Sequence, residues 1–227
     1  MADMDVFRNA VTGWAAAGGP DGPAHAPAPE PRVTTVVLVE GPSDLAAIET
    51  LAARLGRDLD AKGVCVISMG GAMNIGRYTR LLGPPGLGLR ITGLCDEQEL
   101  PFYDRALRQA GSPGDEVFVC VRDLEEELIR ALGVPRVEEI IEAEGDLTPW
   151  QTFTRQPAQQ GRDRHQQVRR FLGTKKGRKI RYGHLLARAL DPGRIPAPLD
   201  ALFTSLRPGS ADRRYAPGTG RPEHGGR

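Results

Sequence analysis

Four short runs rich in Val, Ile and Leu recur along this chain, Thr34–Val39, Val64–Met69, Arg90–Cys95 and Glu116–Val121, with helical patterns between them. Runs of this kind suit strands buried on both faces. Ser43–Leu55 places Leu45, Ile48, Leu51, Ala52 and Leu55 on one helical face and stops at Gly56. Asn74–Leu82 opens on a capping Asn, and Pro101–Ala110 carries proline in its first turn. Asp123–Leu132 has an Asp cap with Glu126 three residues on. Alternation at this spacing predicts a doubly wound α/β fold, a mostly parallel sheet with helices on both faces.

The ends read differently. Glycine (28) and proline (19) are abundant and concentrate there, where they leave little to bury. Residues 1–32 are expected to hold a short helix using Val6, Val11 and Trp14, then a disordered Pro/Ala/Gly linker. Residues 33–145 are the expected core and 146–207 a basic helical extension of the same domain, while 208–227 read as a disordered tail. Cys65, Cys95 and Cys120 sit in apolar runs without paired spacing, as expected of buried reduced thiols. No apolar run approaches the roughly 20 residues a membrane span needs, so a soluble, cytoplasmic protein is expected.

In a doubly wound sheet, chemistry gathers beyond the carboxyl ends of the strands. Glu40 and Asp44 follow the first strand, a Gly70-Gly71 loop leading to Asn74 the second, Asp96-Glu97-Gln98-Glu99 the third, and Asp123 with Glu125, Glu126 and Glu127 the fourth. Clustered carboxylates repel in a low-dielectric cleft, and a divalent cation relieves that repulsion. Mg²⁺ and Mn²⁺ favour such oxygen ligands and serve phosphoryl chemistry. Each acid also has a structural reading. Asp44 suits a helix first turn, Asp123 and Glu126 a capping box, and Glu127 a solvated surface.

Net charge is only +1, but it is unevenly spread. Residues 96–146 hold fifteen acids against five Lys/Arg, whereas 155–188 hold eleven Lys/Arg and one acid. A basic segment beside an acidic rim suits a phosphodiester substrate, with Arg169, Arg170, Lys175, Lys176, Arg178 and Arg181 as the expected nucleic-acid contacts. Lys179 is expected to open the helix KIRYGHLLARAL, where its charge opposes the dipole and calls for a phosphate or carboxylate partner. His165 and His184 read as surface or structural, and no Walker A spacing occurs.

The order VVLVEGPSDLAAIETLA, a Gly-Gly loop, an acid after the third strand and DLEEELIRALG after the fourth resembles a TOPRIM domain. It is most similar to the TOPRIM half of OLD-family (overcoming lysogenization defect) endonucleases, over roughly Val33 to Leu190. The resemblance implies a metal-dependent DNA endonuclease holding one or two Mg²⁺ or Mn²⁺ ions, with RNA as another possible substrate. Glu40 corresponds to the family glutamate, a general acid/base or ligand, and Asp44 to the aspartate that helps hold metal. Asp96 matches the first acid of the family's D-x-D, Glu125 the later acid with Asp123 as its neighbour, and Lys179 the basic residue near the scissile phosphate. Gly70, Gly71 and Asn74 match the loop after the second strand.

Gln98 stands where the second acid of D-x-D is expected, with Glu97 or Glu99 as substitutes. The family's ATPase has no counterpart in the residues before Val33, which implies an ATPase partner in trans or action without one; a homodimer is the other partner considered. The alternative function is a degenerate TOPRIM that binds nucleic acid or a partner without cutting. A receiver-like phosphoacceptor fits less well, since Glu40 and Asp44 are split by a Gly-Pro-Ser turn.

Overall fold

Residues of alternate parity along each strand point to opposite faces, and both faces here are apolar. In β1 (Thr35–Val39), Val37 and Val39 enter one core while Val36 and Leu38 enter another. The computed structural model describes residues 2–19, 27, 30, 32–112 and 116–207. The expected linker lies mostly, and the expected tail entirely, outside these residues. The other strands are β2 (Val64–Ser68), β3 (Arg90–Asp96) and β4 (Val117–Cys120), and all pair in parallel in the order β2-β1-β3-β4. This is the doubly wound arrangement the alternation predicts.

The helices are α1 (Ala2–Ala16), α2 (Pro42–Arg54), α3 (Ile75–Leu82), α4 (Leu100–Gln109), α5 (Leu124–Leu132), α6 (Val134–Ala143), α7 (Leu147–Thr154), α8 (Arg164–Leu172), α9 (Lys176–Ala189) and α10 (Ala197–Ser205). Helices α1, α3 and α4 cover one face, and α2 with α5–α10 cover the other. Among the described residues no helix is long and apolar enough to cross a membrane. The three cysteines are free and buried.

Three local expectations are corrected. The first helix does not use Val6, which is 65% exposed; Met4, Phe7, Val11 and Trp14 enter the core with Cys65 and Ile67. Arg8 of this helix donates from Nε to Val66 O at 2.8 Å and pairs with Glu49 at 2.5 Å, so it occupies a carbonyl on the open edge of β2. Glu127 is buried rather than solvated: its Oε1 accepts from Val121 N–H at 2.9 Å. Lys179 does not open its helix, because α9 begins at Lys176.

Helix α9 packs closely on α2 because Gly183 has no side chain. A Cβ there would meet Ser43 O at 2.7 Å. That approach carries Lys179, one turn earlier on α9, to the rim where α2 begins.

Candidate functional site

Register decides which acids meet. Val39 lies beside Leu94, so Glu40 leaves β1 one step from where Asp96 ends β3. The chain then turns tightly, with Glu99 N–H donating to Asp96 O at 2.9 Å and Glu97 N–H to Cys120 O at 3.1 Å. This turn swings Glu99 back over the strand tip. Carboxylate oxygens of Glu40, Asp96 and Glu99 lie within 4.8 Å of one another. The Gly70-Gly71 loop is tied to the same tip, Gly71 N–H donating to Glu40 O at 3.0 Å with φ at +131°, and Asn74 Nδ2 donates to Met69 O at 2.9 Å.

One oxygen of this trio is left without a partner among the described residues. Glu99 Oε2 is buried without a hydrogen bond. Burial, reinforced by Glu99, Asp123, Asp44 and Glu40, pushes the Asp96 carboxyl up to about 8. Burial and then Glu40 raise Glu99 as well. An all-oxygen cluster in which burial and neighbouring carboxylates disfavour the charged forms of Asp96 and Glu99 fits a hard divalent cation.

A second group surrounds Lys179. Asp44 Oδ2 accepts the Gly41 N–H at 2.9 Å, so it caps α2 while facing the rim. Burial raises Asp44 to about 6, opposed by the Gly41 bond and by Lys179. Burial raises Glu125 to about 7, again opposed by Lys179, and Glu125 Oε1 is buried without a partner. For Lys179, partial burial acts against the charge, but Asp44, Glu125 and Asp123 outweigh it and raise the ammonium pKa.

The remaining predicted ligands are engaged elsewhere or stand apart. Asp123 caps α5 through Glu126 N–H at 2.8 Å and pairs with Arg169. Glu126 does not close a reciprocal capping box; it contacts His165 Nε2 at 2.9 Å and Arg169 Nε at 3.5 Å. Glu97 is exposed and outside the trio.

The basic segment is less free than its charge suggests. Arg178 reaches Asp146 at 3.4 Å and lies over the Phe171 ring at 4.1 Å, and Arg181 pairs with Glu144. Acidic and basic stretches thus pack against each other. Arg170 and Lys175 are exposed, while the Lys176 side chain lies outside the described residues.

Among the described residues, open clefts border the acids. One of about 480 Å³ is walled by Asp96, Gln98, Glu99, Arg122, Asp123 and residues of α8. Another of about 450 Å³ runs between Glu125, Lys179, Arg169 and Arg170. A larger cavity of about 1040 Å³ beside α1 and α2 contains none of these acids. Charge counting did not single out Arg122 or Arg162, and His165, read as surface or structural, proves structural through its contact with Glu126. Arg122 reaches the cleft at the tip of β4, beside Asp123, while the folding of α8 over the strand tips brings in His165 and, just before that helix, Arg162.

Residues 33–97 match the family described as "Overcoming lysogenization defect protein-like, TOPRIM domain". No curated protein sequence matches the chain significantly. Among solved structures it is similar to the C-terminal region of the Xanthomonas campestris pv. campestris OLD protein, at 25% identity and TM-score 0.56, covering 80% of this chain and 98% of that one. It also shares the fold of the C-terminal region of the Burkholderia pseudomallei OLD protein, at 22% identity and TM-score 0.54, covering 77% of this chain and 99% of that one.

Proposed function

Starting from residues 33–97 as an OLD-like TOPRIM domain, we propose that this chain is a metal-dependent phosphodiester hydrolase that cuts DNA. The observation that carries the reading is the Glu40–Asp96–Glu99 cluster, three carboxylates gathered at adjacent strand tips with a buried oxygen left unpartnered. These three residues would hold Mg²⁺ or Mn²⁺. When bound, such an ion polarises a phosphoryl oxygen and lowers the pKa of a coordinated water.

The chain's own groups supply the rest. Glu40, fixed at the end of a buried strand, would take a proton from the attacking water or give one to the leaving oxygen. Lys179 presents a cation that neutralises charge building on the phosphate. The nearby Asp44 and Glu125 raise its pKa and so favour its charged form. They also offer carboxylates for a second ion.

Plasmid cleavage with Mg²⁺ and Mn²⁺, wild type beside Glu40→Gln, tests this. The variant should fold and lose cleavage; a folded variant that still cuts would overturn the role given to Glu40. Gln98 favours a second reading, a binding module that does not cut, because the acid expected there is an exposed amide. Calorimetry with Mn²⁺ separates the two. A non-cutting module would show no Mn²⁺ affinity dependent on Asp96.

A further inference from the structure

The cleft beside the metal-binding trio holds more positive charge than its structural acids use. Asp123 and Glu126 are answered by Arg169 and His165. Among the described residues, Arg162 and Arg170 have no carboxylate within 4.0 Å, and Arg162 uses only its Nε, on Ala158 O at 3.1 Å. Arg122 comes no nearer to Glu126 than 3.9 Å, and its side chain is 63% exposed.

The backbone of Arg122 adds an independent sign. At φ +71° it is the one non-glycine among the described residues in the left-handed region, a conformation unfavourable for any residue with a Cβ. Strain of this kind is retained where a side chain must be aimed. Gln98 lies in the same wall. A carboxylate at that position would compete for these guanidinium groups, whereas a neutral amide leaves them open and can itself donate to a phosphoryl oxygen.

We propose that Arg122, Arg162 and Arg170, with Gln98, form a subsite for a backbone phosphate of the nucleic-acid strand, next along the strand from the phosphate over the acid cluster. This rests on the phosphodiester-hydrolase reading and names where its substrate is gripped. Guanidinium groups bind phosphate oxygens in a bidentate fork. The cleft shares Asp96 and Glu99 with the trio, so a strand passing over the trio continues into it. A free phosphate dianion would meet those two carboxylates with twice the repulsion that a diester monoanion does, which selects a strand over the inorganic ion.

The test is fluorescence anisotropy of the full chain with labelled single-stranded oligonucleotides of 4 and 12 nucleotides, in Ca²⁺, over a range of salt. Arg122→Gln, Arg162→Gln and Arg170→Gln should each weaken binding about 3- to 10-fold and lower the log–log salt slope by about 0.7. Gln98→Lys, at an exposed position, should tighten it. Arg122→Gly removes the backbone strain, so weaker binding by that variant cannot be blamed on misfolding. Affinity should rise with length, and millimolar inorganic phosphate should compete weakly. Unchanged affinity and slope in the triple Arg→Gln variant, no binding by the wild type, or equal competition by inorganic phosphate would each overturn the subsite. The cleavage reading stands or falls separately, on the Glu40→Gln plasmid assay.

Discussion

Glu40 and Asp96 leave neighbouring parallel strands one residue out of step, and their carboxylate oxygens come within 4.8 Å of each other. Repulsion there favours either the protonated form of Asp96 or a bound cation. Most of what can be measured on this protein follows from that choice.

The first consequence is a pH dependence. The folded-state pKa of Asp96 is about 8, far above its ordinary carboxylate value, and Asp44 (about 6) and Glu125 (about 7) shift the same way. Between pH 4 and 8 the folded chain therefore holds protons at these sites that the unfolded chain has released. Stability from these groups falls as pH rises through that window. Thermal unfolding in EDTA should give a melting temperature lower at pH 8 than at pH 5. Mn²⁺ at about 100 times its dissociation constant should add about 2.7 kcal/mol, roughly 5–10 °C, and the gain should be larger at pH 8, where fewer protons compete. A metal-free melting temperature that rises across this window would contradict the site.

Glu99 and Glu97 separate cleanly. Glu99→Gln removes a carboxylate from the trio, and Mn²⁺ affinity by calorimetry should drop at least about tenfold while the metal-free protein gains stability from reduced repulsion. Glu97→Gln, at an exposed position outside the trio, should leave both nearly unchanged. Equal losses from the two would show that the turn after β3 does not select the ligand.

Replacing Lys179 with Met leaves Asp44 and Glu125 without their nearby cation. Cleavage should fall by about 10²-fold or more. The melting temperature should change little, because the side chain reaches solvent and its interactions are partly screened. Full activity in the variant would remove Lys179 from the mechanism.

Packing makes its own prediction at Gly183. Alanine there would press its Cβ on Ser43 O and separate α9 from α2, costing about 1–3 kcal/mol in urea unfolding. Since Ser43 precedes Asp44, the same change should weaken activity beyond the loss of stability.

The first helix is a core element, and Phe7→Ala should cost about 3–5 kcal/mol. Val6→Ala, one residue away and 65% exposed, should be close to neutral.

Sequence by itself determined the strands, most helices, and the acids at three strand tips. Those signals are local: apolar runs, the spacing of one helical face, and a cap such as Asp123 are read within a few residues of chain. Even the helix before the linker was legible as a helix, with Val11 and Trp14 on its buried face, but Val6 and Phe7 are both apolar and only contact with β2 chooses between them. Tertiary structure decided what distant segments do to one another. Glu99 rather than Glu97 joins the trio because the turn after β3 points it back over Glu40. Arg169, Arg178 and Arg181 are drawn into ion pairs because α8 and α9 pack on the acidic segment, which leaves Arg122, Arg162 and Arg170 facing the cleft. Charge and spacing along a chain fix which groups exist, but the distance between two of them is set by strand order and helix packing.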